Sequence, residues 1–319
     1  MSEAVAGAWQ AWLAENLLRG ASPEQLVAPL VAAGLDRPAA ESAVASVRAS
    51  PLLAGARRMV TRSAGVEQAV RLRRWLGPGA LAERSALDEG SFHADFWQVN
   101  RPVVIRGAAA RWAALQWSLS GWAETLGDVS VEAMAGRCAL PPWRRQVPSL
   151  VQRMPLRELA LHSLEGTGDE VYCVARNELL GQAGLAHLAR DLGTLPGLDS
   201  GGAPRLWVGP RDVSTAVHHD QSSGWFVQLV GRKELWLASN LEPELWETAR
   251  GLYNEIDPTD PPVESEVVWH HTVLDPGDAV FLPVGWWHAL RALDPCISVS
   301  FGQFVWPNNV TWYLPGRSP

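Results

Sequence analysis

From about residue 90 onward, the chain is a succession of short β-rich segments punctuated by glycine and proline. Val103–Ile105 is the first of these apolar runs, and residues 275–278 (Asp-Pro-Gly-Asp) have the composition of a tight turn between two later ones. Further strands are expected near residues 171–175, 205–209, 214–220, 225–230, 234–238, 267–274, 279–282, 287–292 and 296–305. Such spacing is typical of a jelly roll, so the sequence predicts a mainly β fold with a double-stranded β-helix core and flanking helices.

The N-terminal part of the chain has a helical pattern instead. Residues 22–25 (Ser-Pro-Glu-Gln) combine a capping serine, a proline in the first turn and a glutamine three residues after the cap, which predicts a helix start. Apolar residues then recur with helical spacing over 26–35. Asp36 is a candidate cap for a third helix, and an arginine-rich fourth helix is expected across residues 57–74. A helix is also expected over 241–252.

Size and composition suit a globular protein with one large and one small domain. The chain has 319 residues, of which 47% are hydrophobic and 19% charged. We expect residues 1–85 to form a helical docking or dimerisation module, with a homodimer built through these helices, and residues 86–319 to form the second domain. No apolar run is long enough to span a bilayer and the N-terminus does not resemble a signal peptide, so we expect a cytoplasmic protein. The three scattered cysteines indicate reduced, buried thiols.

A histidine and an aspartate in the middle of the chain have the spacing of metal ligands. His218 and Asp220 are separated by one residue, so a continuous strand would direct both side chains to one face and His219 to the other. Two histidines and one carboxylate are the protein ligands of mononuclear non-haem Fe(II) sites, which leave one face of the octahedron open. A second histidine is therefore needed from a neighbouring strand.

His288 is the best candidate for this third ligand, because it follows the tight Pro-Val-Gly turn at 283–285. His270 and His271 are alternatives, but they precede the turn at 275–278 and do not follow a tight turn of their own. The same histidines could instead be core residues with satisfied hydrogen bonds. A zinc hydrolase is a further alternative, since the same donors can hold Zn(II).

Lys233 is the only lysine in a chain whose 27 basic residues are otherwise arginines. A compositional bias towards arginine explains the missing lysines. It does not explain why the remaining one lies thirteen residues after Asp220. A cation beside an iron site can pair with an anionic cosubstrate, whose charge would otherwise be costly to bury in an apolar barrel.

Residues from about 92 to 307 resemble the JmjC (cupin-like) family of Fe(II)- and 2-oxoglutarate-dependent oxygenases. The pattern is nearest to that of the asparaginyl hydroxylase acting on hypoxia-inducible factor. The matching stretches are Arg101–Gly107, Trp117-Ser118, Thr215–Asp220, Gln228–Lys233, Asp275–Pro283 and Trp286–His288. The resemblance covers about two thirds of the chain and implies a cupin-like oxygenase domain within 86–319 that uses Fe(II), 2-oxoglutarate and O2. It implies that His218, Asp220 and His288 bind the iron.

The resemblance also implies the cosubstrate contacts. Lys233 and Thr215 would bind the distal carboxylate of 2-oxoglutarate, with Tyr172 assisting. Ser300 belongs to the same pocket, at a position where the asparaginyl hydroxylase has an asparagine near the iron. Gly224 replaces a second asparagine, which holds the substrate amide in that enzyme. These two replacements argue against asparagine as the substrate side chain.

The implied reaction is hydroxylation of an amino-acid side chain of a peptide or protein, with release of succinate and CO2. The alternatives are N-methyl demethylation, hydroxylation of a small molecule or a tRNA base by the same chemistry, and a cupin-like protein that binds without catalysing. A net charge of −7 argues against nucleic acid as the main partner, although the basic run at 57–74 keeps the tRNA alternative open. No membrane partner is expected.

Overall fold

The computed structural model describes residues 3–58, 80–173, 178–199 and 202–308, together with positions 60, 68, 70 and 72. The chain divides into two compact units, Met1–Gly77 and Pro78–Pro319. None of the helices in the described ranges combines the length and the apolar character needed to cross a membrane.

The first unit contains helices α1 (Glu3–Leu18), α2 (Pro23–Ala32) and α3 (Arg37–Ala49), and residues 51–58 are also helical. Helix α2 begins with the predicted capping box. The Ser22 hydroxyl accepts the N–H of Gln25, and the Gln25 side chain accepts the N–H of Ser22 at 2.8 Å. Asp36 caps α3 by accepting the N–H of Ala39 at 2.7 Å. These caps confirm the two predicted helix starts.

The apolar faces of these helices meet in a small core. It contains Leu13, Leu17, Leu26, Val27, Leu30, Ala40, Val44 and Leu53. Of the arginine-rich segment, Arg57 and Arg58 are exposed. The rest of that predicted fourth helix, residues 59–74, lies largely outside the described residues.

The second unit is a jelly-roll barrel made of two facing sheets, which confirms the predicted fold class. The six strands of the larger sheet are, in spatial order, β1 (Ala82–Arg84), β2 (Val103–Ile105), β11 (Ala279–Leu282), β8 (Gly224–Val230), β13 (Cys296–Phe301) and β6 (Arg205–Gly209). The smaller sheet has the order β10 (Trp269–Leu274), β9 (Lys233–Ala238), β12 (Trp287–Ala292) and β7 (Ser214–His218). All pairings within these two sheets are antiparallel except β1 with β2.

A third sheet and several short helices cover the barrel. The third sheet has the order β4 (Val151–Pro155), β3 (Ser130–Ala135) and β5 (Val171–Tyr172). The α-helices are Glu89–Phe92, Leu119–Thr125, Leu156–Glu165 and Pro243–Glu247, and His93–Trp97 forms a π-helical turn. Shorter 3-10 turns lie at Ala113–Gln116, Arg137–Ala139, Pro142–Arg144, Pro148–Leu150, Leu179–Gly181 and Ala186–Asp191.

Side-chain alternation separates the inside of the barrel from its covered outer face. On β8, Trp225 and Val227 pack into the core beneath the helices, whereas Phe226 belongs to the cluster inside the barrel. Because successive strand residues point to opposite faces, a single strand contributes to both cores. Leu235 and Leu237 of β9 join Phe226 inside the barrel.

The pairing of β7 with β12 contains an irregularity that matters for the site. His218 pairs with His288, but Thr215 pairs with Leu290, so β7 uses one more residue than β12 over the same interval. This extra residue is a β-bulge, a feature that re-aims side chains and is common beside active sites. It allows Thr215 and His218, three positions apart, to face the barrel interior together.

Several expectations from the sequence differ from the structure; the strand predicted over 296–305, for example, ends at Phe301. The helix predicted over 241–252 extends only from 243 to 247, because the Asn254 amide bonds the carbonyl of Leu245 at 2.8 Å and turns the chain back. Strand β7 ends at His218 rather than at residue 220. Cys138 is exposed, while the other two cysteines are free and buried as predicted.

The predicted turn at 275–278 is anchored by a buried carboxylate. Asp278 accepts the N–H groups of Gly107 at 2.8 Å and Asp275 at 3.1 Å, and Arg106 donates to it at 2.7 Å. Gly277 has a φ of 99°, which a residue with a side chain adopts only with strain. The Asp278 side chain therefore links the β10–β11 turn by hydrogen bonds to the residues that follow β2.

Replacing Asp278 with alanine should leave Arg106 and two amides short of a partner. We expect the free energy of unfolding, measured in urea, to fall by about 2–4 kcal/mol. The control is Asp294→Ala, which removes a more exposed partner of Arg232 and should change stability little. Equal stability of the two variants would contradict this interpretation of the turn.

Candidate metal centre

Three side chains that lie apart in sequence converge at one end of the barrel. His218 is the last residue of β7, Asp220 lies two residues further on, and His288 is the second residue of β12. One potential ligand atom from each lies within 4.8 Å of the others. The Nε2 atom of His288 is 3.9 Å from a carboxylate oxygen of Asp220, and the two imidazole centroids are 4.1 Å apart. The structure thus brings together the three residues predicted to bind metal.

The two imidazoles are oriented by the backbone. Nδ1 of His218 lies 2.9 Å from the carbonyl oxygen of Ala216, and Nδ1 of His288 lies 3.0 Å from that of Trp286. A carbonyl oxygen can only accept, so each Nδ1 carries a proton, which leaves Nε2 as the nitrogen available to a metal. Hydrogen bonds of this kind fix the tautomer and direction of metal-binding histidines.

The protonation state of His288 suits a ligand. Burial, aided by the neighbouring His218, lowers the pKa of His288 to about 3, although Asp220 acts in the opposite direction. The imidazole is therefore neutral near pH 7, and a neutral imidazole is the form that coordinates a metal.

Asp220 differs from the two histidines in its exposure. Its side chain is 58% exposed, whereas both histidines are buried. The backbone still fixes its place, because Gly285 donates its N–H to the Asp220 carbonyl at 3.1 Å. Gly285 has a φ of 79°, so the turn that precedes His288 needs a residue without a side chain. The donor set is consequently open to solvent on the aspartate side.

The other histidines near this site have different surroundings. His219 points away, as predicted, and packs between the rings of Trp246 and Trp287, at centroid distances of 4.8 and 4.6 Å. His271 lies on the outer face of β10, 3.3 Å from a carboxylate oxygen of Glu234. His270 lies beside it on the same strand and is also outside the cluster that could share one ion.

Lys233 begins β9 and is 1% exposed. Its ammonium donates to the hydroxyl of Tyr172 at 3.0 Å and lies 5.2 Å from the ring centroid of Phe226. None of the ion pairs among the described residues includes this lysine. An ammonium in such surroundings has a large desolvation cost, which an anionic ligand would offset.

Burial and two neighbouring side chains shift the pKa of Lys233 in opposite directions. Burial is the largest influence on the pKa of Lys233 and lowers it, but interactions with Cys296 and Tyr172 raise that pKa overall. Burial raises the pKa of Tyr172 and of Cys296, so both of these groups are neutral near pH 7. The buried positive charge of Lys233 therefore lies beside a neutral phenol and a neutral thiol.

The remaining predicted cosubstrate residues also line this part of the barrel. Thr215 is buried and paired with Leu290. The Ser300 hydroxyl accepts the indole N–H of Trp207 at 3.0 Å, and the Trp207 ring lies 6.0 Å from that of Tyr172. Ser300 therefore orients the Trp207 side chain, which forms one wall of the pocket.

Trp207 and Tyr253 were not singled out from the sequence. Tyr253 stacks on His218 with a centroid distance of 5.7 Å and donates to Gln146 at 3.2 Å. Alternation along β6 could have indicated that Trp207 faces inward, because its neighbours Leu206 and Val208 belong to the outer core. Tyr253 lies in an irregular segment and had no comparable signal.

The donor set fits a particular kind of ion. Two imidazoles and one carboxylate, with ligand atoms within 4.8 Å of one another, match the ligands of mononuclear non-haem Fe(II) centres. The solvent-exposed side next to Asp220 leaves positions for further ligands. No fourth histidine or cysteine joins the cluster among the described residues, so a closed structural zinc site does not match.

Comparisons with known proteins agree with this geometry. Residues 89–301 match the family model described as a cupin-like domain. The chain is 26% identical over 229 residues to Jumonji C domain-containing protein 5 of Drosophila melanogaster, covering 66% of this chain and 56% of that protein. It is 25% identical over 238 residues to lysine-specific demethylase JMJ30 of Arabidopsis thaliana, covering 69% of this chain and 54% of that protein.

A third relative is the human bifunctional peptidase and (3S)-lysyl hydroxylase JMJD7. The identity is 25% over 256 residues, covering 66% of this chain and 79% of that protein. The chain spans about half the length of the first two relatives. That the sequence pattern is nearest to an asparaginyl hydroxylase remains a prediction.

The family match extends over more than half of the chain and includes all three donors and Lys233. The jelly-roll barrel, its converging histidines and aspartate, and the JmjC relatives agree with one another. The chain therefore belongs to the cupin-like, JmjC family of Fe(II)- and 2-oxoglutarate-dependent oxygenases, a family of enzymes.

Proposed function

We propose that this protein is a 2-oxoglutarate-dependent dioxygenase that hydroxylates an amino-acid side chain of a peptide or protein. The observation that carries the proposal is the convergence of His218, Asp220 and His288 at the mouth of a barrel that also buries Lys233. When bound, Fe(II), 2-oxoglutarate and O2 would supply the oxidising chemistry that converts a C–H bond to an alcohol and releases succinate and CO2.

The protein's own residues would bind and orient the reactants. His218 and His288 would present their Nε2 atoms to the metal, and Asp220 a carboxylate oxygen from the open side. Because Asp220 faces solvent, substrate can approach there without crossing the barrel wall. The protein must then hold one C–H bond close to the metal and keep water away from it.

Strand geometry supports a role for Lys233 in binding a diacid. On the paired strands β9 and β12, Lys233 is opposite Ala292 and Leu237 is opposite His288. Four residues along a strand span about 13 Å. The long lysine side chain occupies part of that distance, and the rest suits a five-carbon diacid held between the metal and the ammonium.

The other pocket residues would assist this ammonium. We assign the Tyr172 hydroxyl to orienting Lys233, with which it shares a 3.0 Å hydrogen bond. Thr215 would donate to the same distal carboxylate from β7, which is separated from β9 by β12. Ser300 would act through Trp207, whose indole it holds at 3.0 Å.

N-methyl demethylation is the second candidate, since one relative bears the name lysine-specific demethylase. The name (3S)-lysyl hydroxylase of another relative supports side-chain hydroxylation. Both reactions begin with hydroxylation of a C–H bond, so the same site serves either. They differ in the product, because a hydroxylated N-methyl group leaves as formaldehyde.

Asp220→Ala removes one metal donor from an exposed position. We expect iron-dependent succinate formation to fall roughly 100-fold or more, while the midpoint of thermal unfolding shifts by only about 1–2 °C. Asp128→Ala is the matched control, because that side chain is 94% exposed and lies outside the cluster. Wild-type succinate formation by Asp220→Ala would contradict the assignment.

Lys233→Met keeps the length of the side chain and removes its charge. Loss of the charged partner should weaken 2-oxoglutarate binding by about 2–4 kcal/mol, or roughly 30- to 1,000-fold. Stability without cosubstrate should not fall, since an uncompensated buried charge disappears. Titration calorimetry checks the affinity, with the exposed Arg232→Met as control. Unchanged affinity would refute the role of Lys233.

The substrate class is tested by adding peptides to the iron-loaded protein. Peptide hydroxylation predicts that succinate formation rises with a reactive peptide, and that mass spectrometry finds one added oxygen on a side chain without formaldehyde. Release of formaldehyde with loss of a methyl group would instead identify demethylation. Succinate formation that no peptide stimulates would argue against both.

A further inference from the structure

Arg137 is a buried cation that the proposed function leaves unexplained. It directly follows Gly136 after β3 and is 1% exposed. Its guanidinium donates to the carbonyl of Asp169 at 3.0 Å, to the carboxylate of that residue at 3.2 Å, and to the carbonyl of Ser214 at 2.9 Å. Its Nη1 is buried and, within the described part of the chain, has no hydrogen-bond partner. Such a group is costly to bury and uncommon in native proteins.

Arg137 and Lys233 share one aromatic ring. The guanidinium carbon of Arg137 lies 5.1 Å from the ring centroid of Tyr172, and the ammonium of Lys233 lies 5.4 Å from the same centroid. The ring is packed against β6, where a Cβ at Gly209 would come within 2.7 Å of it. The electron-rich face of the ring attracts the Arg137 guanidinium, while the hydroxyl of the same tyrosine accepts from Lys233, so both cations contact one side chain.

The charges around this ring do not balance. Asp169 is shared, because its other oxygen accepts from Arg145 at 2.7 Å. The cluster thus contains three cations, at Arg137, Arg145 and Lys233, and one carboxylate. Asp169 is the ion-pair partner of both arginines, whereas Lys233 has no ion-pair partner among the described residues. The buried charges of Arg137 and Lys233 are therefore only partly offset, and a distal carboxylate entering the pocket would offset the remainder.

We propose that Arg137 is a positioning residue of the cosubstrate pocket, which holds Tyr172 in place and adds a second buried positive charge at the end that receives the distal carboxylate. This inference rests on the proposed function. Arg137 acts through the ring, whereas Lys233 contacts the carboxylate. Asp169 also accepts the N–H and hydroxyl of Ser214, both at 2.8 Å, and so ties this end of the pocket to the strand that carries His218.

The test measures binding of two ligands by calorimetry to the full chain loaded with Mn(II), without oxygen. 2-Oxoglutarate carries the distal carboxylate, whereas 2-oxopentanoate has the same chain length and lacks it. Arg137→Gln should weaken 2-oxoglutarate binding roughly 10-fold. It should change 2-oxopentanoate binding by less than about twofold, since this ligand has no distal charge. Arg137→Lys keeps the charge and should bind 2-oxoglutarate within about threefold of the wild type.

Arg145→Gln is the matched control, because Arg145 shares Asp169 and is partly exposed. It should retain most of the wild-type affinity. Three results would overturn the inference: unchanged 2-oxoglutarate affinity in Arg137→Gln, an equal loss of affinity for both ligands, or an equal loss of 2-oxoglutarate affinity in Arg145→Gln. Arg137 would then have only a structural role. If Arg137→Gln does not fold, Arg137→Lys provides the test. A 10-fold loss of affinity for both ligands in Arg137→Lys would overturn the inference. A wild-type protein that binds no 2-oxoglutarate refutes the proposed function itself.

Discussion

The pairing of β7 with β12 is the interaction on which the candidate site depends. It sets His218 opposite His288, and its bulge lets Thr215 face inward from the same strand. Carbonyl groups of these same strand segments bind Nδ1 of each imidazole. Asp220 is added from beyond the strand, through the bond between its carbonyl and Gly285. The metal donors are therefore arranged by backbone hydrogen bonds, which form when the barrel folds.

Buried positive charge is the second constraint. Lys233 is placed on an inner strand among apolar side chains, with a neutral phenol and a neutral thiol beside it. Such a site is unfavourable when empty and favourable when an anion enters it. The proposed pocket would therefore favour an anionic ligand, because binding one offsets the desolvation cost of the unpaired Lys233 ammonium. In our proposal, Arg137 adds a second positive charge at the end of the pocket that receives the distal carboxylate.

Much of the fold was predictable because the barrel strands have strong local signals. Runs such as 279–282 and 287–292 lie where they were expected, and the Asp-Pro-Gly-Asp turn forms as its composition indicates. The hairpin of β3 and β4 was not expected. Strand β4 is mostly exposed, and the alternation in β3 extends over only a few residues, so neither gives a strong local signal.

The site was predictable in its donors but not in its detail. His218, Asp220 and His288 have a recognisable order along the chain, and Lys233 is conspicuous as the only lysine. The alternation argument assumed a strand through Asp220, whereas the strand ends at His218. The bulge and the burial of Arg137 depend on tertiary packing across several elements. The local sequence around Gly136 and Arg137 does not indicate that packing.

If the site works as proposed, one ion and one diacid bind side by side and strengthen each other's binding. An anaerobic titration with Fe(II), with and without 2-oxoglutarate, measures this coupling. We expect one equivalent of each ligand to bind, and each to lower the dissociation constant of the other by the same factor, as linkage requires. Independent binding of Fe(II) and 2-oxoglutarate, or equal binding of 2-oxoglutarate after removal of the metal donors, would refute the proposed site.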